Sequence, residues 1–210
     1  ILTRFSLFFS DTYSVSSLSD QNFLKEKFNK RNIIVRPNWI KELSYKELEN
    51  RNNLEVLSVG RLEKQKNFKE IIMALVDTDY GLIIYGDGTE RENLISFAIE
   101  KNVNLKIKDL IPHSELLNVY KNYKIFVSSS SFEGNSKAIL EAMSSGCIVI
   151  AKNIDNNIEL INNSIDGYLY RNANELNELL KQINYDFSSQ KTISENAVKK
   201  VLENNSISKL

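Results

Sequence analysis

Between residues 54 and 186 short runs of strand type alternate with longer amphipathic stretches, and this alternation restricts the fold more than any other feature of the chain. The strand-like runs lie at 55–59, 82–85, 104–108, 124–128, 147–151 and 167–170. Helical patterns fill the spaces between them, at 67–76, 89–101, 114–121, 136–145 and 174–183. Two of these open as Asn67-x-x-Glu70 and Thr89-x-x-Glu92, the spacing of a capping box. Strands and helices that alternate at this spacing build βαβ units. The expected fold is therefore α/β, a Rossmann-like doubly wound parallel sheet occupying 54–186.

The flanks are shorter units. Within 1–40, "SVSSLS" predicts a strand, "DQNFLKEKF" a helix and "NIIVRPN" a second strand ended by Pro37. A lone βαβ fragment cannot bury enough surface to stand alone, so it must dock on something. Residues 41–53, "KELSYKELENRNN", are polar and charged and read as a linker. The tail, 187–210, predicts a helix through "SENAVKKVLENN" that ends without a clear partner, as if truncated. The chain opens on Ile and not Met, so a fragment of something longer is expected.

Composition narrows the classes of function. Lys plus Arg equals Asp plus Glu, so charge favours neither nucleic acid nor an anionic membrane as principal partner. One Cys and one His exclude a disulfide framework and a zinc site of the usual ligand count, and point to a reducing compartment. The opening "ILTRFSLFFS" is too short and too polar to span a membrane.

In doubly wound sheets ligands bind at the carboxyl ends of the strands, and four motifs fall there. In "SVGRLEKQKN", Gly60 permits a close turn, and Arg61 and Lys66 flank a helix entry. Two cations there suit a diphosphate, or else form a solvated basic loop with Lys64 and Lys69. In "YGDGTERENL", Gly86-Asp87-Gly88 is expected to be a turn needing positive φ, with Thr89 and Glu92 capping the next helix. A dinucleotide fingerprint would need glycine at Arg91, so NAD is disfavoured. In "IKDLIPHSEL", His113 offers a general base, but no nucleophile motif accompanies it, and the favoured reading is that it opens a surface helix. In "SFEGNSKAILEAMSSG", the carboxylate of Glu141 sits inside an apolar helical run. A buried carboxylate needs partners, and a vicinal diol such as a ribose would supply two donors. The competing reading is a local backbone bond or a pair with Lys137, four residues earlier.

Taken together and in order, these motifs resemble the donor-binding half of the family 4 retaining glycosyltransferases, which have the two-domain GT-B fold. The family's two glutamates with seven residues between them appear as Glu133 and Glu141. Its Gly-Arg-Leu with a following Lys appears as Gly60-Arg61-Leu62 and Lys66, and its Gly-Asp-Gly as 86–88. "VRPNWI" resembles its interdomain junction, and "DTYSVSSLSDQNFLKEKF" the end of its acceptor domain.

The resemblance implies one half of a GT-B glycosyltransferase, transferring sugar from a nucleotide-sugar, a UDP-sugar first, to a glycan or lipid-linked acceptor with retention of configuration. Arg61, Lys66 and Glu133 would be the catalytic residues, the two cations holding the diphosphate. Glu141 would take the ribose hydroxyls and Glu133 those of the transferred sugar. Gly60, Gly86, Gly134, Asn135, Ser136 and Lys137 would complete the nucleotide-sugar site, with the main chain of Lys108 near the base. No metal or other cofactor is implied, and no nucleic-acid partner. Relatives of this kind act in the cytoplasm or at the inner face of the plasma membrane.

Departures from the family pattern are Asn67 for Gly, Asn135-Ser136 for Phe-Pro or Leu-Pro, and Asp109 for Gly. The acceptor domain is almost wholly missing, so either the chain is a fragment or a partner chain supplies the rest. The aromatic start "RFSLFFS" would then be an interface left by that domain, and a route to dimers. A non-catalytic nucleotide-sugar-binding subunit, a sugar-nucleotide epimerase of the same fold and a purely structural domain are the competing classes.

Overall fold

The structure, a computed structural model, describes residues 11–41, 47–183 and 187–207. The aromatic start "RFSLFFS" and the middle of the expected linker lie outside the described residues.

Six parallel strands form the main sheet: β3 (Asn52–Val59), β4 (Gly81–Tyr85), β5 (Leu105–Lys108), β6 (Tyr123–Ser128), β7 (Ile148–Lys152) and β8 (Tyr168–Tyr170). Their spatial order is β5-β4-β3-β6-β7-β8. The chain works outward from β3 to one edge, then returns to the other side of β3 at β6. That reversal leaves a crevice between the carboxyl ends of β3 and β6.

Side chains alternate across the sheet, as strand geometry requires, and both faces are buried. Val56, Leu82, Ile84, Ile125, Val127, Ile148 and Ile150 face one core, shared with α2 (Phe68–Leu75), α3 (Arg91–Glu100) and α7 (Ala173–Ile183). Leu57, Ile83, Phe126, Val149 and Ala151 face the other. There they meet α4 (His113–Tyr120), α5 (Lys137–Ser144), α6 (Asp155–Leu160) and α8 (Phe187–Asn204). The α/β expectation holds, with strands and helices close to their expected positions. Helix α6 was not expected, because "DNNIEL" is short and polar and is preceded by Ile154 where a capping side chain would stand.

Both expected capping boxes are corrected. Asn67 adopts a left-handed φ of 50°, which turns its side chain away from the cap position and onto Glu70. α3 begins at Arg91, so Thr89 lies outside it and bonds Glu63 at 3.2 Å. The strand β3 begins at Asn52, and Leu48 and Arg51 are buried, inside the stretch that reads as a linker. Arg51 donates to the Ser145 carbonyl at 2.6 Å.

The N-terminal flank forms a two-stranded parallel sheet, β1 (Tyr13–Val15) with β2 (Ile33–Val35), joined by α1 (Leu18–Phe28). No residue of α1 is buried. It docks through polar bonds: Glu159 of α6 accepts from the main-chain N–H groups of Leu18 and Ser19 at 2.8 and 2.6 Å, and Asn156 donates to Ser17 at 2.7 Å. A carboxylate at a helix N-terminus satisfies orphan donors and meets the positive end of the dipole.

The tail does have a partner, contrary to expectation. Ala197 and Val201 of α8 are buried in the second core, and Ser194 donates to the Gly146 carbonyl at 2.7 Å. Beyond α8 the chain runs beside Ile40, whose N–H reaches the Asn205 carbonyl at 2.9 Å. The amphipathic period announced the helix, but its partner is distant in sequence.

Candidate functional site

The crevice between β3 and β6 opens into a cavity of about 560 Å³. Its wall includes Gly60, Arg61, Lys66, Glu133, Asn135, Ser136, Lys137 and Glu141. A cavity of similar size, about 570 Å³, lies at the amino ends of β3 and β4, but Glu55, Asp77 and Asp79 line it against Lys101 alone, which suits no anion.

The phosphate-like corner follows β3. Gly60 carries no side chain, and a Cβ there would press to 3.2 Å of the Lys66 stem. Lys66 ends a 3-10 turn, Lys64–Lys66, stitched to the loop after β6: Ser129 donates to the Lys66 carbonyl at 2.7 Å, and the Ser131 N–H to the Gln65 carbonyl at 2.9 Å. The Lys66 ammonium forms an ion pair with Glu133, whose same oxygen accepts from Ser130 at 2.7 Å. The Arg61 guanidinium is exposed and makes no hydrogen bond or ion pair with a described residue, leaving its fork available. Helix α5 points its N-terminus at the same corner, and no side chain caps it. Its first-turn N–H groups are thus open donors at the positive end of a dipole.

Glu141 lies deeper, 6% exposed. Its partner is neither Lys137 nor local backbone: one carboxylate oxygen lies 2.8 Å from Nε2 of His113. His113 does open α4 at the surface, as expected, but it also reaches into the cavity. Two turns further along α4, Tyr120 is fully buried and lines the same wall. Burial first, then the negative charge of Glu141, push the Tyr120 hydroxyl well above the usual tyrosine range, so it stays protonated near the carboxylate.

Three expected site residues do not line the cavity. A Cβ on Gly86 would lie 1.9 Å from the Gly60 carbonyl oxygen, so Gly86 answers to close approach of two loops and not to positive φ; only Gly88, at φ 153°, needs that. The Lys108 carbonyl accepts from the Gly86 N–H at 3.0 Å, and its side chain is exposed. Gly134 faces the N-terminal flank, where a Cβ would meet Ser16 at 2.8 Å. Tyr120 carries no motif in the sequence, and His113, expected as a helix-opening residue, was not expected to meet Glu141, although it follows β5 at the same carboxyl edge as the other motifs. That placement was the signal.

A family model described as "Glycosyl transferases group 1" matches residues 40–200. The chain is 31% identical over 136 residues to the UDP-N-acetylglucosamine–peptide N-acetylglucosaminyltransferase GtfA subunit of Streptococcus agalactiae, covering 62% of this chain and 27% of that protein. It is 35% identical over 143 residues to the UDP-Gal:α-D-GlcNAc-diphosphoundecaprenol α-1,3-galactosyltransferase of Escherichia coli, covering 64% and 36%. Among solved structures, a TarM variant of S. aureus superposes with a TM-score of 0.85 at 20% identity, over 95% of this chain and 42% of that one. The chain therefore spans about a third of the length of the curated relatives it matches.

Proposed function

This chain belongs to the group 1 glycosyl transferases, and from that premise we propose that its cavity is the donor site of a retaining glycosyltransferase. The donor is a nucleotide-sugar, a UDP-sugar first, and the acceptor a glycan or lipid-linked sugar. The observation that carries this reading is the meeting of Arg61, Lys66, the open N-terminus of α5 and the buried Glu141 on one wall.

In this reading the diphosphate lies against Arg61, Lys66 and the first turn of α5, which meet the charge that grows on the leaving nucleotide. Glu141, held by His113, accepts from the two ribose hydroxyls. Glu133 shares Lys66 at rest and turns to the hydroxyls of the transferred sugar when the diphosphate takes the lysine. The anomeric carbon–oxygen bond breaks with the electron pair leaving on the diphosphate. The acceptor hydroxyl attacks from the face just vacated, and a phosphate oxygen takes its proton, so configuration is retained. No metal enters this scheme, since the cations and helix N-terminus meet the diphosphate charge.

A second reading is a nucleotide-sugar-binding subunit completed by another chain. It is favoured by a relative that is itself named a subunit. No helix among the described residues is long and apolar enough to cross a membrane.

Calorimetric titration with UDP, GDP and ADP tests the site. One of the three is expected to bind, and Glu141→Ala to weaken that binding by about tenfold or more, the equivalent of one charge-assisted hydrogen bond. Binding that ignores the substitution would sink the ribose assignment.

A further inference from the structure

Three asparagines far apart in the chain meet beside the Glu133 loop. The Asn38 main-chain N–H donates to Oδ1 of Asn135 at 2.9 Å, and its side-chain amide donates to the Asn135 carbonyl. Asn205, just beyond α8, in turn donates from its side-chain amide to the Asn38 carbonyl at 2.9 Å. Asn205 is itself fixed, because its carbonyl accepts from the Ile40 N–H at 2.9 Å and its own N–H reaches the Val201 carbonyl at 2.8 Å. From the other side, the Asn135 N–H donates to the Ser16 hydroxyl at 3.1 Å. Asn135 and Asn205 are both nearly buried, at 9% and 8% exposure.

Asn135 sits between Glu133 and the first turn of α5, and every partner of its main chain and side chain just named belongs to a segment outside the six-stranded sheet. We propose that Asn38, braced by Asn205, is a positioning residue that sets the 133–137 loop against the diphosphate-sugar end of the ligand. The two flanks of the chain thus tune one half of the site and leave the nucleoside half alone. This rests on the nucleotide-sugar reading of the cavity.

The physical argument is local to one peptide segment. A loop that follows a strand and precedes a helix has two fixed ends, but its middle must satisfy its own polar groups. Here the amide and carbonyl of residue 135 are satisfied by Ser16 and Asn38, and its side chain is held at the cavity wall by the Asn38 N–H. Remove the brace on Asn38, and the loop gains conformations in which the α5 N–H groups and Glu133 no longer converge on one point. His113, Tyr120 and Glu141 make none of these bonds, and their geometry stays.

Two measurements on the full chain decide the matter, with Asn205→Ala as first variant and Asn38→Asp as second. Amide hydrogen exchange should quicken about fivefold in the peptide covering 131–138, while a peptide covering β4 is unchanged. No change in the loop peptide, or equal quickening everywhere in both variants, would overturn the proposal. Titration with UDP should weaken about fivefold, and titration with UMP, which lacks the second phosphate, should not change. Equal loss for both nucleotides would reduce the asparagines to a general structural role. If the parent chain binds neither UMP nor UDP, the nucleotide reading fails by itself, and the exchange experiment still decides whether the flanks hold the loop.

Discussion

The two walls of the cavity are built in different ways. Glu141 rides on a helix whose neighbours Ile139, Leu140, Ala142 and Met143 are all 0–1% exposed, so its wall is an outgrowth of the hydrophobic core. Glu133 rides on a loop that holds its place through polar bonds to Lys66, Ser16 and Asn38. Core packing is stiff and tolerates little change, whereas hydrogen bonds at a surface loop are individually modest and reversible. The nucleoside half of the site should therefore be rigid and intrinsic to the sheet domain, and the diphosphate-sugar half adjustable.

The largest contrast should be chemical. Cys147 lies directly behind α5 and is fully buried, and burial pushes its thiol up to about 12, offset only in part by the Arg51 guanidinium. A thiol reagent at pH 8 should label the native chain at least about a hundredfold more slowly than the denatured one. By contrast, Phe132→Cys in a Cys147→Ala background should label at once, because position 132 is 64% exposed. Rapid native labelling of Cys147 would mean that the α5 wall opens readily. The sign of the pH effect follows: folding raises this pKa from about 9, so stability is untouched below that pH and falls as pH climbs from there toward 12. Denaturation of Cys147→Ala alongside the parent isolates the effect.

Next in size is Ile139→Ala. It should cost about 2–4 kcal/mol by denaturant unfolding, while Phe132→Ala on the other wall should cost under about 0.5 kcal/mol. Comparable costs would erase the distinction between the walls.

His113→Ala should weaken nucleotide binding by about fivefold and cost about 1–2 kcal/mol in denaturant unfolding, since it removes a hydrogen bond from the buried Glu141 carboxylate but no core contact. A loss of stability without a loss of affinity would make His113 a helix-opening residue and nothing more. The smallest effect belongs to Thr89→Ala. A capping-box threonine would cost about 1 kcal/mol, but α3 starts two residues later, so a change under about 0.5 kcal/mol is expected.

The chain's own order of residues determined the strands, most of the helices and the pairing of Glu133 with Glu141, because each depends on period or spacing within a few turns. It also announced Gly60, Arg61 and Lys66 as one loop. Where local rules failed they failed for tertiary reasons: Asn67 took a left-handed backbone, and Gly86 was required by the carbonyl of Gly60, which approaches from the neighbouring strand's loop. Only the tertiary structure decided who meets whom at the site. His113 reaches Glu141 across 28 residues, Lys66 reaches Glu133 across 67, and Asn205 reaches Asn38 across 167. Those meetings follow from the strand order β5-β4-β3-β6-β7-β8, which sets which strand ends become neighbours. Hydrophobic period reports that a strand has two buried faces. It does not specify which strand lies beside it, so the motifs were legible singly and their assembly was not.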